Sequence, residues 1–204
     1  GVICLSAKAG VTVQVRYRSD YSNHVHQLVV TVSKHFYVTK QGKFKRQSTP
    51  FKAVIGKSSS YTKTHVVHYM ITDHYSGLFY SEVTTSDDLF PIEAFLERAW
   101  GFKPGHPMQG EPHLLVVPKS VFNAFPSLSA WLYQKPIELV QATSGFQTGI
   151  RSIRTWEEVL RIGGSFRYQT GFPPDFAEVQ ANSFDSCVFQ TRKNFTKWTE
   201  GLNI

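Results

Sequence analysis

The sequence predicts an α/β domain: a three-stranded antiparallel meander, then single strands alternating with helices, the whole preceded by a basic, β-rich extension. Three observations predict it. Apolar and polar residues alternate in short runs up to residue 85, as half-buried strands require. Beyond residue 88 the apolar residues fall at helical spacing, and short apolar runs separate the helices, which implies parallel crossovers. Charge is also uneven. Residues 1–72 carry eleven Lys or Arg against one acid, Asp20, a formal +10, whereas residues 73–204 carry eleven against fourteen, a formal −3.

Element by element, "GVTVQVRYR" (10–18) reads as a strand and "SDYSN" as the turn after it. "HQLVVTVSKHFYVT" (26–39) is a longer strand, with "KQG" as its hairpin turn. "FKAVIGK" (51–57) is a short strand after Pro50, and "HVVHYMIT" (65–72) and "LFYSEVTT" (78–85) form a hairpin around the turn "DHYSG". A helix follows in "DDLFPIEAFLERAWG": Asp88 is placed to cap it, Pro91 falls in the first turn, and Gly101 stops it. "HLLVV" (113–117) is apolar on both faces and so an interior strand, "PSLSAWLYQ" (126–134) a helix, "IELVQA" (137–142) a strand, and 150–162 a last helix. Residues 1–50 are assigned to the basic extension, 51–164 to the core, and 165–204 to a carboxy-terminal tail packed on that core.

At 204 residues the chain can bury one sizeable core. No apolar run approaches the ~20 residues that span a bilayer, so no membrane partner is expected, and "GVICLSAKAG" is too short for a secretory signal. A cytoplasmic location is expected. The chain begins with Gly rather than Met, as a processed chain or a piece of a longer protein would. Cys4 and Cys187 stand near opposite ends and form neither a disulfide framework nor a zinc pattern.

Between residues 51 and 162 the expected order is three strands, helix, strand, helix, strand, helix. This is the order of the ribonuclease H-like fold. "YMITDHYSGLFYSEVTT" resembles the second and third strands of integrase core domains and insertion-element transposases, with Gly77 where that family's Asp-x-Tyr-Ser-Arg turn has Arg. "LLVVPKSVFNAF" resembles the family's fourth strand and the turn after it, and "IELVQATSGFQTGIRSIRTWEEVL" its fifth strand, loop and last helix.

The resemblance implies three carboxylates, on the first strand, after the fourth strand and on the last helix, holding two divalent metals. In the expected alignment these positions fall near Gly56, Pro118 and Ile153, and none is an acid. The reading is therefore a degenerate, non-catalytic integrase-like or transposase-like domain with no cofactor and no metal. Asp73 is expected to close its turn, its carboxylate accepting a backbone N–H, rather than to catalyse. Other catalytic or metal signatures are weak. "GKSSS" lacks the upstream Gly of a phosphate loop, no Gly-x-Ser-x-Gly elbow is present, and His24/His26 and His65/His68 have no cysteine nearby and no acid between residues 21 and 72.

Nucleic acid, DNA above all, is the expected partner. Lys40, Lys43, Lys45, Arg46, Lys52 and Lys57 fall in an acid-free stretch interleaved with Phe36, Tyr37, Phe44 and Phe51, a composition suited to holding phosphates and stacking bases. Lys119 follows the fourth strand, and Arg151, Arg154 and Arg161 share one face of the last helix. A homo-oligomer or a mobile-element protein is a further expected partner. Two alternatives stand beside this reading: an active strand-transfer enzyme using Mg²⁺ or Mn²⁺ through carboxylates at other positions, and a protein-interaction scaffold.

Overall fold

The computed structural model describes residues 19–56, 63–142, 175–181 and 187. Its centre is β1 (Val25–Val38), whose apolar residues alternate between the two faces of a mixed sheet. A hairpin turn with Gly42 at φ 75° returns the chain into β2 (Phe44–Arg46), paired antiparallel to the end of β1. β3 (Thr64–Asp73) lies antiparallel along the other edge of β1, and β4 (Phe79–Thr85) pairs antiparallel with β3. β5 (Leu114–Pro118) and β6 (Glu138–Ala142) add in parallel beyond β1, giving the order β4-β3-β1-β5-β6.

Three helices cover one face: α1 (Ile92–Trp100), α2 (Lys119–Ala124) and α3 (Ser127–Leu132). Ile92, Phe95, Leu96, Ala99 and Trp100 of α1 sit in a core with Leu28, Val30, Val32, Val67, Tyr69 and Ile71 of the sheet. Full burial of each large side chain stabilises by roughly 1.5–3 kcal/mol, so this stripe anchors the crossover between β4 and β5. On the opposite face Val29, Phe36, Val38, Phe44, Val66, Met70, Phe79 and Val83 pack with Phe176, Val179 and Cys187 from the far end of the chain. Both faces of β3 are thereby covered, and all but its first residue are buried. No described helix is long and apolar enough to cross a membrane.

The structure moves the first strand of the meander. Residues 51–55 do alternate, with Ile55 buried and Lys52 and Val54 exposed, but the segment is extended chain without a strand ladder. The first strand of the meander is instead β1, from the stretch assigned to the amino-terminal extension, so a boundary at residue 50 would separate the central strand from β3, β4, β5 and β6. Alternation reports burial on one side; pairing needs a free neighbour, and the edge of β3 is taken by β1 along Val38 to His26. The start of α1 also shifts. Pro91, not Asp88, is the N-cap residue, and Asp88 instead forms an antiparallel bridge to Thr85. The expected strand at 10–18 and helix at 150–162 lie outside the described residues.

Candidate nucleic-acid interface

β1 does not pair evenly along its length. Its register with β3 runs from His26 opposite Asp73 to Val32 opposite Val67, then resumes at Tyr37 opposite His65, so three more residues are used on β1 than on β3. Ser33 stabilises this bulge, its Oγ accepting from the N–H groups of His35 (3.3 Å) and Phe36 (3.1 Å). The bulge turns backbone groups outward to the chain that follows β2. Gln47 N–H donates to His35 O (2.9 Å) and Phe51 N–H to Lys34 O (2.7 Å).

Basic side chains gather around that bulge. Lys34 lies on it, Lys45 is opposite Tyr37 and shares its face, and Lys52 follows Phe51, whereas Arg46, opposite Phe36, ends β2 on the other face. Lys63 reaches in from the start of β3, its Nζ 4.4 Å from the Tyr37 ring centroid, 5.7 Å from that of Phe51, and donating to Gln47 Oε1 at 3.1 Å. Among the described residues no carboxylate is paired with any of these five cations. Lys43 differs, because Asp175 reaches it at 2.8 Å. Lys40 is exposed in the hairpin turn, and Lys119 is exposed at the start of α2, beyond β5. Lys57, Arg151, Arg154 and Arg161 lie outside the described residues.

The interleaved aromatics divide in two. Phe36 and Phe44 stack on each other at 4.9 Å within the core, and Phe44 also stacks on Phe176 at 6.4 Å, so neither can receive a base. Tyr37 and Phe51 are half-buried and meet edge to face at 6.0 Å. Lys34 and Lys63 complete the group, and sequence reasoning missed them because they flank the densest basic run. The signal available was the absence of any acid from residue 21 to 72.

At the opposite end of β1, Asp73 closes the β3–β4 turn. Its Oδ1 accepts from Tyr75 N–H (3.2 Å), and its Oδ2 from the hydroxyls of Ser22 (2.7 Å) and Ser76 (2.5 Å). Gly77, at φ 70°, donates its N–H to Asp73 O. Beside it, buried His26 is held neutral. Trp100 Nε1–H donates to its Nδ1 (3.2 Å), which leaves the ring hydrogen on Nε2, facing Asn23 Oδ1 at 3.0 Å. Burial pulls the His26 pKa down to about 4, against the opposing charge of Asp73. Among the described residues, no group of three or more His, Cys, Asp or Glu is arranged to hold a metal.

The β1–β5 pairing runs Val25 to Leu114, His26 to Leu115 and Gln27 to Val116. Extending that register by two residues brings Val29 level with Pro118. Gly56 is not on this strand. It lies in a turn at φ 85°, where an added Cβ would stand 3.7 Å from Ala124 Cβ of α2.

A central strand between an antiparallel β3–β4 pair and a parallel β5–β6 pair, with helices in the crossovers, is the decisive arrangement. The fold is ribonuclease H-like. Of solved structures, the chain is similar to one of a simian T-cell lymphotropic virus intasome in complex with PP2A regulatory subunit B56 gamma, with TM-score 0.52 and 13% identity over 85% of this chain. It spans about half of that chain's length (49%). Two structures of the HTLV-2 integrase catalytic core domain in complex with magnesium are also similar. The dimeric form has TM-score 0.47 and 14% identity, over 84% of this chain and 88% of that one. The trimeric form has TM-score 0.46 and 15% identity, over 84% and 86%. No family model and no curated protein sequence matches.

With β1 as the first strand of the expected order and β5 as the fourth, the first expected carboxylate position moves from Gly56 onto β1. β1 carries no Asp or Glu, and Pro118, Lys119 and Ser120 end β5 and open α2. Val29 lies on the apolar face with Met70 and Phe79, and Lys119 would repel a cation. Asp73 lies on the other face with His26 and Trp100, committed to its turn. Ile153 lies outside the described residues.

Proposed function

We propose that the chain is a degenerate integrase-like domain that binds nucleic acid and does not carry out two-metal strand transfer. A single observation carries this reading. The central strand, where the fold family needs a carboxylate, has none, and the chain around its bulge instead carries Lys34, Lys45, Lys52 and Lys63 with no carboxylate paired to them among the described residues. Unpaired cations attract phosphates at long range and release the counterions condensed on a nucleic acid.

The test is binding over a salt series. Log K against log salt should fall by about 0.9 for each duplex phosphate contacted, or about 0.7 for a single strand. Replacing Lys34, Lys45 and Lys52 together by Ala should flatten the slope by up to about 3 units, whereas Lys43→Ala should change it less because Asp175 already engages that ammonium. A wild-type protein that binds no nucleic acid at low salt would overturn the reading. Mg²⁺-dependent nicking that persists through purification would overturn its non-catalytic half.

A further inference from the structure

We propose that the bulge site takes an unpaired strand, single-stranded DNA or RNA, in preference to a duplex, with a base stacked on Tyr37. This rests on the nucleic-acid reading above and names its ligand. The polar half of such a site is the set of cations. The stacking half is the pair of half-buried rings inside that set, Tyr37 and Phe51, fixed edge to face at 6.0 Å, with Phe51 braced by the His65 ring at 4.1 Å. The Lys63 ammonium now lies over the Tyr37 ring, at 4.4 Å, in the position a base would occupy. It is exposed and, among the described residues, its hydrogen bond is to a neutral amide oxygen, Gln47 Oε1.

A phosphate is a stronger partner for an ammonium than a ring or an amide is. On binding, Lys63 moves from the ring to a phosphate and leaves the face of Tyr37 to the base. A duplex cannot use that face, since its bases are already stacked and paired. The site also presents no helix to a major groove: among the described residues it is built from β1, β2, the chain after β2, and Lys63. Stacking on aromatic rings inside a basic groove is how unpaired strands are held without regard to sequence.

The experiment is a fluorescence-anisotropy titration at low salt with four probes of equal strand length: oligo-dT, oligo-rU, an abasic deoxyribose-phosphate chain and a duplex. Wild type should bind oligo-dT or oligo-rU more tightly than the abasic chain, by about 5-fold or more for one stacked base, and more tightly than the duplex. Tyr37→Leu should abolish the advantage over the abasic chain, while Tyr37→Phe, which keeps the ring, should retain it. Equal binding of all four probes, or a Tyr37→Leu protein that still prefers bases, would overturn the stacking inference and leave nucleic-acid binding standing. Failure to bind any probe would overturn both.

Discussion

Asp73 and His26 face each other across two strands, and each is committed to the fold. Asp73→Ala would strip the acceptor from two hydroxyls and one N–H in a buried turn, costing about 2–4 kcal/mol in urea unfolding. If that variant were as stable as wild type, Asp73 would have no structural role. His26 carries a pH signature. Its pKa is about 4 in the fold against 6.5 in a free chain, so above pH 6.5 it is neutral in both states. As pH falls from 6.5 towards 4, the unfolded chain takes up a proton that the folded one refuses. Stability should then drop by about 3 kcal/mol, the loss being complete below pH 4. Burial lowers His65 and His74 as well, so they act in the same direction. In unfolding midpoints measured from pH 7 to 4, His26→Gln should flatten the curve relative to wild type.

Single elements depend on how their ends are satisfied. Arg98, the basic residue in the last turn of α1, is turned to Glu82, and the loop supplies the cap. Lys103 Nζ donates to the carbonyls of Arg98 (3.0 Å), Ala99 (2.6 Å) and Gly101 (2.8 Å), and lies 4.9 Å from the centroid of the Tyr80 ring. Gly101 is required for a different reason: an added Cβ would meet Glu97 O at 2.9 Å. Lys103→Met should cost about 1–2 kcal/mol, read as a lower midpoint in thermal melts followed by circular dichroism. An unchanged midpoint would mean that water caps α1 equally well. The strands show how far an element is legible locally. The hairpin from 65 to 85 was readable because the Asp-x-Tyr-Ser turn and both flanking alternations agree. Residues 51–55 alternate just as well and yet pair with no strand.

For the molecule as a whole, the far end of the chain bears on the basic face. Asp175 bridges Lys43, and Phe176 stacks on Phe44 behind it, so this end of the chain covers one cation of the hairpin while completing the core beneath it. An exposed pair of this kind is worth less than about 1 kcal/mol, so Asp175→Asn should barely move stability. It should, however, release Lys43 to phosphates and steepen the salt dependence of nucleic-acid binding by up to about 1 unit. An unchanged slope would place Lys43 outside the interface. The sequence by itself determined the composition of the site, an acid-free stretch rich in Lys with aromatic neighbours, together with the hairpin, α1 and the parallel strands. It determined these because turn chemistry, helical period and charge are local properties. Only the tertiary structure decided that Val25–Val38 is the central strand, that Phe36 and Phe44 belong to the core while Tyr37 and Phe51 border the cations, and that Lys43 is paired whereas Lys34 and Lys63 join the site. Strand pairing, burial and ion pairing are settled between residues far apart in the chain, by which partner reaches a free edge or an uncovered charge.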